Sequence, residues 1–91
     1  MPTVKQMLER YKELMETSKY CYILGHIDKS EYFIDIETHY NYIKAYIGAV
    51  YVFNFMKDKK FNELSDEVYN IYNEYQDFDL VQYEYELAQS E

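Results

Sequence analysis

Apolar residues recur every three or four positions along most of this chain, which is the spacing that places side chains on one face of a helix. The first such run extends from Val4 to Leu24. Thr3 and Gln6 open it with the spacing of a capping box. Gly25 follows it, and glycine readily takes the left-handed conformation that ends many helices. The pattern therefore predicts a first helix over residues 4–24.

A second run extends from Asp28 to Met56 and begins with another capping-box pair, Asp28 and Glu31. Two apolar stripes lie side by side along it, and so wide an apolar surface is typical of a helix that is contacted on more than one side. We therefore expect this central helix to be the scaffold of the fold. It also carries a patch of small residues at which another backbone could approach closely. These residues are Ala45, Gly48 and Ala49.

The third run, from Phe61 to Phe78, has the most regular helical period in the chain, with apolar residues spaced alternately by three and four. It predicts a third helix over these residues. Three lysines stand just before it and suit the C-terminus of the second helix, where the helix dipole stabilises positive charge. They are Lys57, Lys59 and Lys60.

The residues after Asp79 fit two structures. Apolar and polar residues alternate over 81–87, as in a half-buried strand, whereas Asp79 and Gln82 have the spacing of a capping box. Residues 20–24 and 32–37 are rich in β-branched and aromatic side chains and could form a hairpin. The sequence thus predicts an all-α fold, a small antiparallel three-helix bundle, with an α+β domain carrying a short three-stranded sheet as the alternative. The bundle is favoured because helix caps and periods account for the whole chain with short connections.

The aromatic content is unusually high for a chain of this length. Thirteen Tyr and five Phe, without Trp, make up 20% of the 91 residues. A single domain over residues 1–91 has a core too small to enclose them all. Some tyrosines therefore reach the surface, and tyrosine is enriched at protein interfaces.

Several features indicate the compartment. Cys21 is the only cysteine, which excludes an internal disulfide and fits a reducing environment. The first ten residues alternate charged and apolar side chains and lack the continuous apolar stretch of a secretory signal. The most apolar run, residues 42–56, is shorter than a membrane-spanning helix requires. We therefore expect a cytoplasmic protein without a membrane partner.

The net charge is concentrated at the C-terminal end of the chain. Residues 61–91 hold nine acids and no Lys or Arg, while residues 1–60 hold eight acids and nine bases, which leaves a net charge of −8. Such a run repels itself unless solvent screens it or a cationic partner occupies it. Residues 61–91 are therefore the predicted binding surface. Their charge argues against direct contact with nucleic acid, since phosphate binding requires clustered Lys and Arg.

On a helix over residues 61–78, four of these acids fall into one stripe with Asn70, beside the apolar stripe. The simplest interpretation is a solvated surface, and the functional one is a row of carboxylates that binds a basic groove. Tyr69 lies off the apolar stripe and could add an aromatic anchor. The predicted partner-binding residues are Glu63, Asp66, Glu67, Tyr69, Glu74, Asp77, Asp79, Glu84 and Glu86.

Catalytic motifs are absent from the sequence. It has no glycine-rich phosphate loop, no nucleophile elbow and no paired cysteines. Asp35 and His39 lie one helical turn apart, but no third ligand is spaced to complete a metal site. His26 is expected to decorate a turn, and Cys21 to be a buried, inert thiol. We predict a protein without catalytic activity, metal or cofactor.

Small size, strong acidity and surplus tyrosine together suggest a class of function. This composition resembles that of mobile-element inhibitors that imitate DNA, including anti-restriction and anti-CRISPR proteins. The resemblance implies a viral inhibitor or regulator that occludes a basic, nucleic-acid-binding surface of a partner protein. The alternative is a self-associating helical module, a homodimer, in which the central helix supplies the contact.

Overall fold

The computed structural model describes residues 2–90, and over those residues it contains four α-helices and no strand. The helices are α1 (Val4–Ile23), α2 (Lys29–Val52), α3 (Asp58–Gln76) and α4 (Leu80–Gln89). The all-α prediction is confirmed, and the alternative with a three-stranded sheet is wrong. The number of helices differs from the prediction, because residues 80–89 form a fourth helix.

Capping boxes begin the first two helices, as predicted. The Thr3 hydroxyl accepts from the Gln6 backbone N–H at 3.1 Å, and the Gln6 side chain accepts from the Thr3 N–H at 2.9 Å. Asp28 and Glu31 exchange the same pair of hydrogen bonds at 2.8 and 3.2 Å. Each box satisfies backbone N–H groups that the first turn of a helix leaves without partners.

Left-handed residues end both helices. Gly25 has a φ of 77° after α1, and Asn54 has a φ of 61° after α2. The Phe55 N–H donates to the Val50 carbonyl at 3.0 Å, which closes the last turn of α2. Asparagine tolerates this conformation better than most residues other than glycine. The chain therefore leaves α2 at Val52, four residues before the predicted end.

The three lysines after this turn belong to α3. Lys57 is its N-cap residue, and Lys59 and Lys60 lie in its first turn. The prediction that they complete the C-terminus of α2 is wrong, because the left-handed Asn54 turns the chain before they are reached. They lie instead at the end of a helix whose dipole disfavours positive charge.

The core lies where α1, α2 and α3 pack against one another. Its buried residues are Tyr11, Met15, Tyr32, Ile36, Ile43, Ile47, Leu64 and Val68. The two buried tyrosines reach α3 backbone carbonyls, Tyr11 donating to Val68 at 3.0 Å and Tyr32 to Tyr75 at 2.7 Å. The Tyr75 hydroxyl in turn donates to the Glu16 carboxylate on α1. Tyrosine hydroxyls thus connect the three helices, which accounts for part of the tyrosine surplus.

The α4 helix lies outside this packed body of α1–α3. Asp79 caps it by accepting from the Gln82 N–H at 3.2 Å, and none of its ten residues is buried. It is attached through Phe78, whose ring centroid lies 5.7 Å from that of Tyr83 and 6.1 Å from those of Tyr22 and Tyr32. From residue 84 to residue 90 every side chain is exposed.

The molecule is elongated, with principal extents of 50 × 22 × 19 Å. The Tyr46 hydroxyl donates to the Pro2 carbonyl at 2.7 Å, so the last third of α2 lies beside the start of α1. Phe78 contacts the end of α1 and the start of α2, so α3 ends at the opposite side. The α2–α3 turn and α4 therefore occupy opposite ends of the long axis.

Candidate functional site

Four of the predicted acids come together on the outward side of α3. Together with Asn70 and Ile71 of α3 and Lys12 of α1, they line one shallow depression. We call this surface the acidic face. Its carboxylates, all solvent-exposed, belong to Glu63, Asp66, Glu67 and Glu74. The depression thus presents four carboxylates and one ammonium group to an incoming partner.

The remaining predicted acids lie beyond this depression. Asp77 is the C-cap residue of α3, and Asp79 is engaged as the cap of α4. Glu86 accepts a hydrogen bond from the Gln82 side chain at 2.9 Å, and Glu84 is exposed on α4. These four residues extend the negative potential toward the end of the molecule without joining the acidic face.

Two lysines from outside the C-terminal third partly relieve the repulsion among these acids. Lys12 Nζ lies 3.5 Å from Glu67 Oε1, and Lys59 Nζ lies 4.0 Å from Glu63 Oε1. Both pairs are exposed, and exposed pairs contribute about 0–1 kcal/mol. Sequence reasoning missed Lys12 because it lies on another helix. Its spacing on α1 gave no signal of a contact with α3.

Tyr69 lies on a different side of α3 from the acidic face. Its side chain is 51% exposed, and its ring centroid is 6.4 Å from that of Tyr40 on α2. Tyr40 also stacks on Tyr72 at 4.2 Å, with Lys44 Nζ 4.9 Å from the Tyr40 centroid. Tyr69 therefore borders an aromatic cluster between α2 and α3, whereas the acidic face borders α1.

The small residues of α2 are not used for packing within the chain. Ala45 and Ala49 are exposed, and a Cβ added at Gly48 would meet no atom within 4 Å. They lie on a continuous exposed face of α2, which we call the outer stripe. It contains Ile34, Thr38, Tyr42, Ala45, Ala49 and Val52. Ile34, Tyr42 and Val52 are 62%, 66% and 71% exposed. The outer stripe of the central helix is therefore largely apolar, and the rest of the chain does not cover it.

A largely apolar depression of about 360 Å³ lies between α1 and α2 beside this outer stripe. Tyr42 and Thr38 of the stripe form part of its wall, and Met7 and Leu14 line it from α1. Its size is within the usual range of small ligand or side-chain pockets.

His39 and Asp35 take part in a polar cluster between α1 and α2. Ser18 is buried, and its Oγ lies 3.1 Å from His39 Nε2 and 3.4 Å from Asp35 Oδ2. Burial lowers the pKa of His39, and the nearby Asp35 carboxylate opposes this shift. The carboxylate bonds the serine rather than orienting the imidazole, so the cluster lacks the order of groups in a nucleophile–base–orienter set. It links the two helices structurally.

The fold does not place the other candidate residues, Cys21 and His26, in a reactive group of side chains. Cys21 is half-buried, and His26 is exposed in the turn after α1. Within residues 2–90, no three His, Cys, Asp or Glu side chains are grouped as metal ligands. In that same part of the chain, no helix is both long enough and apolar enough to cross a membrane.

The chain matches no protein-family model, and searches of curated proteins and of solved structures found no match. Function is therefore inferred from the surfaces described above.

Proposed function

We propose that the protein is a small acidic binding protein that occupies a basic surface of another protein, at a place where nucleic acid would otherwise bind. The observation that carries this proposal is the acidic face, where four carboxylates share one depression with a single lysine. The mechanism is steric and electrostatic occlusion without chemistry, of the kind used by inhibitors that imitate DNA.

The spacing of charge along α3 supports this proposal. From residue 63 to residue 77 a helix rises about 21 Å, and this segment carries five carboxylates, or roughly one per 4 Å. One strand of B-DNA carries one phosphate per about 3.4 Å. A groove that neutralises one strand with Lys and Arg would therefore meet a similar linear charge density on α3.

The rigidity of α3 also favours binding. Its opposite side contributes Leu64 and Val68 to the core, so the carboxylates are held on a fixed helix rather than on a loop. Their arrangement is therefore largely pre-organised, which reduces the entropy lost on association. The negative potential would also accelerate the encounter with a cationic partner, an effect that salt weakens.

The test is capture from a nuclease-treated cell lysate at low and high salt, followed by competition with double-stranded DNA. The test variant combines Glu63→Gln, Glu67→Gln and Glu74→Gln. Its matched control combines Glu9→Gln, Glu13→Gln and Glu37→Gln, which removes the same charge from exposed positions on α1 and α2.

We expect the parent and the control to capture nucleic-acid-binding proteins that DNA displaces, and the test variant to lose them. The stability of the test variant should change only slightly, since each exposed like-charge pair contributes a few tenths of a kcal/mol. If the test variant captures the same proteins as the control, the acidic face is only a solvated surface.

A second candidate function is supported by the outer stripe of α2. A self-associating helical module would cover this stripe by packing α2 against its copy across a two-fold axis, with Ala45, Gly48 and Ala49 allowing close approach. Gly48→Leu has open space within the chain and should leave the monomer folded. In sedimentation it should nevertheless weaken a dimer formed through this stripe, because the added side chain separates the helices. A dimer equally stable in parent and variant would contradict this role of α2.

A further inference from the structure

The α2–α3 turn carries the most exposed aromatic side chains of the described chain. Phe53 and Phe55 are 70% and 82% exposed, although phenylalanine has no polar group that solvent could bind. Three lysines follow them within a few residues. We call this surface the basic tip, formed by Phe53, Phe55, Lys57, Lys59 and Lys60.

The tip is held in a defined shape. Asn54 has left-handed φ, and the N–H groups of Asn54 and Phe55 donate to α2 carbonyls at 3.0 Å. Tyr51 stacks on Phe61 at a centroid distance of 4.2 Å, and its hydroxyl donates to Asp58 Oδ1 at 2.6 Å. The one carboxylate within the turn is therefore engaged locally. The phenyl rings are exposed on a capped turn, next to three ammonium groups.

The α4 helix at the opposite end has a complementary surface. Val81 and Tyr85 are 77% and 61% exposed, and their spacing of four residues places them on one side of the helix with Glu84 and Ala88. We call these four residues the α4 face. Asp77, Asp79 and Glu86 lie close to it in sequence, so the apolar side chains belong to an acidic segment of the chain.

We propose that the basic tip of one molecule binds the α4 face of a second copy, so that copies of the chain associate head to tail. Each surface presents large apolar side chains next to charge, and the charges are opposite in sign. The body is 50 Å long and about 20 Å wide, with the two surfaces at opposite ends, so they cannot meet within one molecule. A second copy supplies the matching surface for each.

The choice of a second copy rests on this pairing. An anionic membrane would also attract a tip of Phe and Lys, but it would repel the acidic end and leave the α4 face uncovered. Head-to-tail contact covers both surfaces at once. Because such a contact is heterologous, every added copy leaves one tip and one α4 face available, and the chains extend unless the geometry closes a ring.

Two variants that each lack one surface test this proposal. The tip variant combines Phe53→Ser and Phe55→Ser, and the α4 variant combines Val81→Ser and Tyr85→Ser. All four side chains are exposed, so both variants should keep the helical circular dichroism of the parent. Sedimentation velocity is then measured on the parent, on each variant alone and on an equimolar mixture.

The parent should form a concentration-dependent series of species beyond the 11.2 kDa monomer. Each variant alone should be monomeric, because loss of even one interface hot spot weakens association about thirtyfold or more. The mixture should form a dimer and stop there, since the α4 face of the tip variant can bind only the tip of the α4 variant. Added salt should weaken this dimer.

Three results would overturn the proposal. One is a parent that stays monomeric at high concentration, whether or not it binds vesicles of phosphatidylserine and phosphatidylcholine. Another is self-association of both variants alone, which would place the contact elsewhere, for example on the outer stripe of α2. The last is a mixture that forms no dimer.

A charge exchange tests the pairing without removing apolar groups. Lys59→Glu with Lys60→Glu should abolish the self-association of the chain. Mixing this variant with Glu84→Lys plus Glu86→Lys should restore a concentration-dependent series of alternating copies, because both junctions then pair opposite charges. Failure to restore it would contradict the electrostatic pairing. The proposed occlusion by the acidic face is tested separately, because no carboxylate of that face is substituted in any of these variants, and only Lys59→Glu changes a neighbour of one of them, Glu63.

Discussion

Polar groups in the interior of the α1–α3 body have favourable partners, whereas charges at the two ends of α3 are placed unfavourably. In the interior, no buried side-chain nitrogen or oxygen among the described residues lacks a hydrogen-bond partner. At the ends, charge is placed against the helix dipole, with Lys59 and Lys60 in the first turn and Asp77 after the last. Phe53 and Phe55 remain in solvent beside the first turn.

This difference separates residues that stabilise the fold from residues that are available for binding. A sequence consistent with its structure at every level is the expected result of selection for folding, and local exceptions concentrate at functional surfaces. The exceptions in this molecule lie at the tip, on the acidic face, on α4 and on the outer stripe of α2. These are the surfaces on which the proposals rest.

The largest difference in the free energy of unfolding should come from truncating one side chain in the interior and one at the basic tip. Ile36→Ala removes a side chain that is only 1% exposed and should lower the free energy of unfolding by about 2–5 kcal/mol. Phe55→Ala removes a larger side chain at the tip and should change it by no more than about 0.5 kcal/mol. Urea denaturation of both variants measures this. A large loss in Phe55→Ala would mean that the tip stabilises the fold.

The second-largest expected effect is a loss of folding stability at alkaline pH, caused by the buried tyrosines. Burial raises the pKa of Tyr11, Tyr32 and Tyr75 above the ordinary value of about 10. The unfolded chain therefore loses these protons at lower pH than the folded protein does, and stability falls as pH rises through 10. The urea midpoint measured between pH 8 and pH 11 should decline, and Tyr11→Phe should reduce the slope. Tyr85→Phe, on the exposed α4 face, is the matched control and should leave the slope unchanged.

A cap at the start of α3 should give a smaller effect of opposite sign. Lys57 is the N-cap residue and makes no side-chain hydrogen bond to the first turn. Lys57→Ser supplies an acceptor and removes a charge that the dipole disfavours, so the free energy of unfolding should rise by about 1 kcal/mol. Thermal denaturation measures the gain. If stability is unchanged or lower, Lys57 has a structural role at the turn and is not merely tolerated there.

The smallest expected effect concerns the polar cluster of Ser18, Asp35 and His39. Burial holds the pKa of His39 below its ordinary value of about 6.5, with Asp35 opposing. The unfolded chain takes up this proton first as the pH falls, so stability should begin to decrease as the pH passes below about 6.5. His39→Gln should flatten this dependence between pH 7.5 and pH 5.5, with His26→Gln as the exposed control. If the slope is unchanged in His39→Gln, His39 does not contribute to the loss of stability at acidic pH.

Much of the helical framework was predictable because its signals are local. The Thr3–Gln6 and Asp28–Glu31 boxes mark helix starts that the structure confirms, and Gly25 marks an end to within one residue. The end of α2 was missed because Asn54 gives a weaker signal than glycine, so the lysines after it were assigned to the wrong helix.

The last helix was ambiguous for a different reason. Alternation over residues 81–87 resembles a half-buried strand only if one side has something to pack on, and α4 has little beyond Phe78. The Asp79 cap then decides in favour of a helix. The acidic stripe was readable from spacing within one helix, whereas the placement of Lys12 beside it and of Tyr40 beside Tyr69 depends on tertiary packing.

The long axis of the body separates the lysines of the basic tip from the acids around α4, as well as the two apolar surfaces. This separation contributes a permanent dipole along the 50 Å length of the molecule. In the field of a strongly basic partner such a body experiences a torque as well as an attraction. It would rotate during the approach until its more acidic side faces the partner, and the basic tip would point away from the encounter. The orientation of the first collision is thus biased before any side chain makes contact.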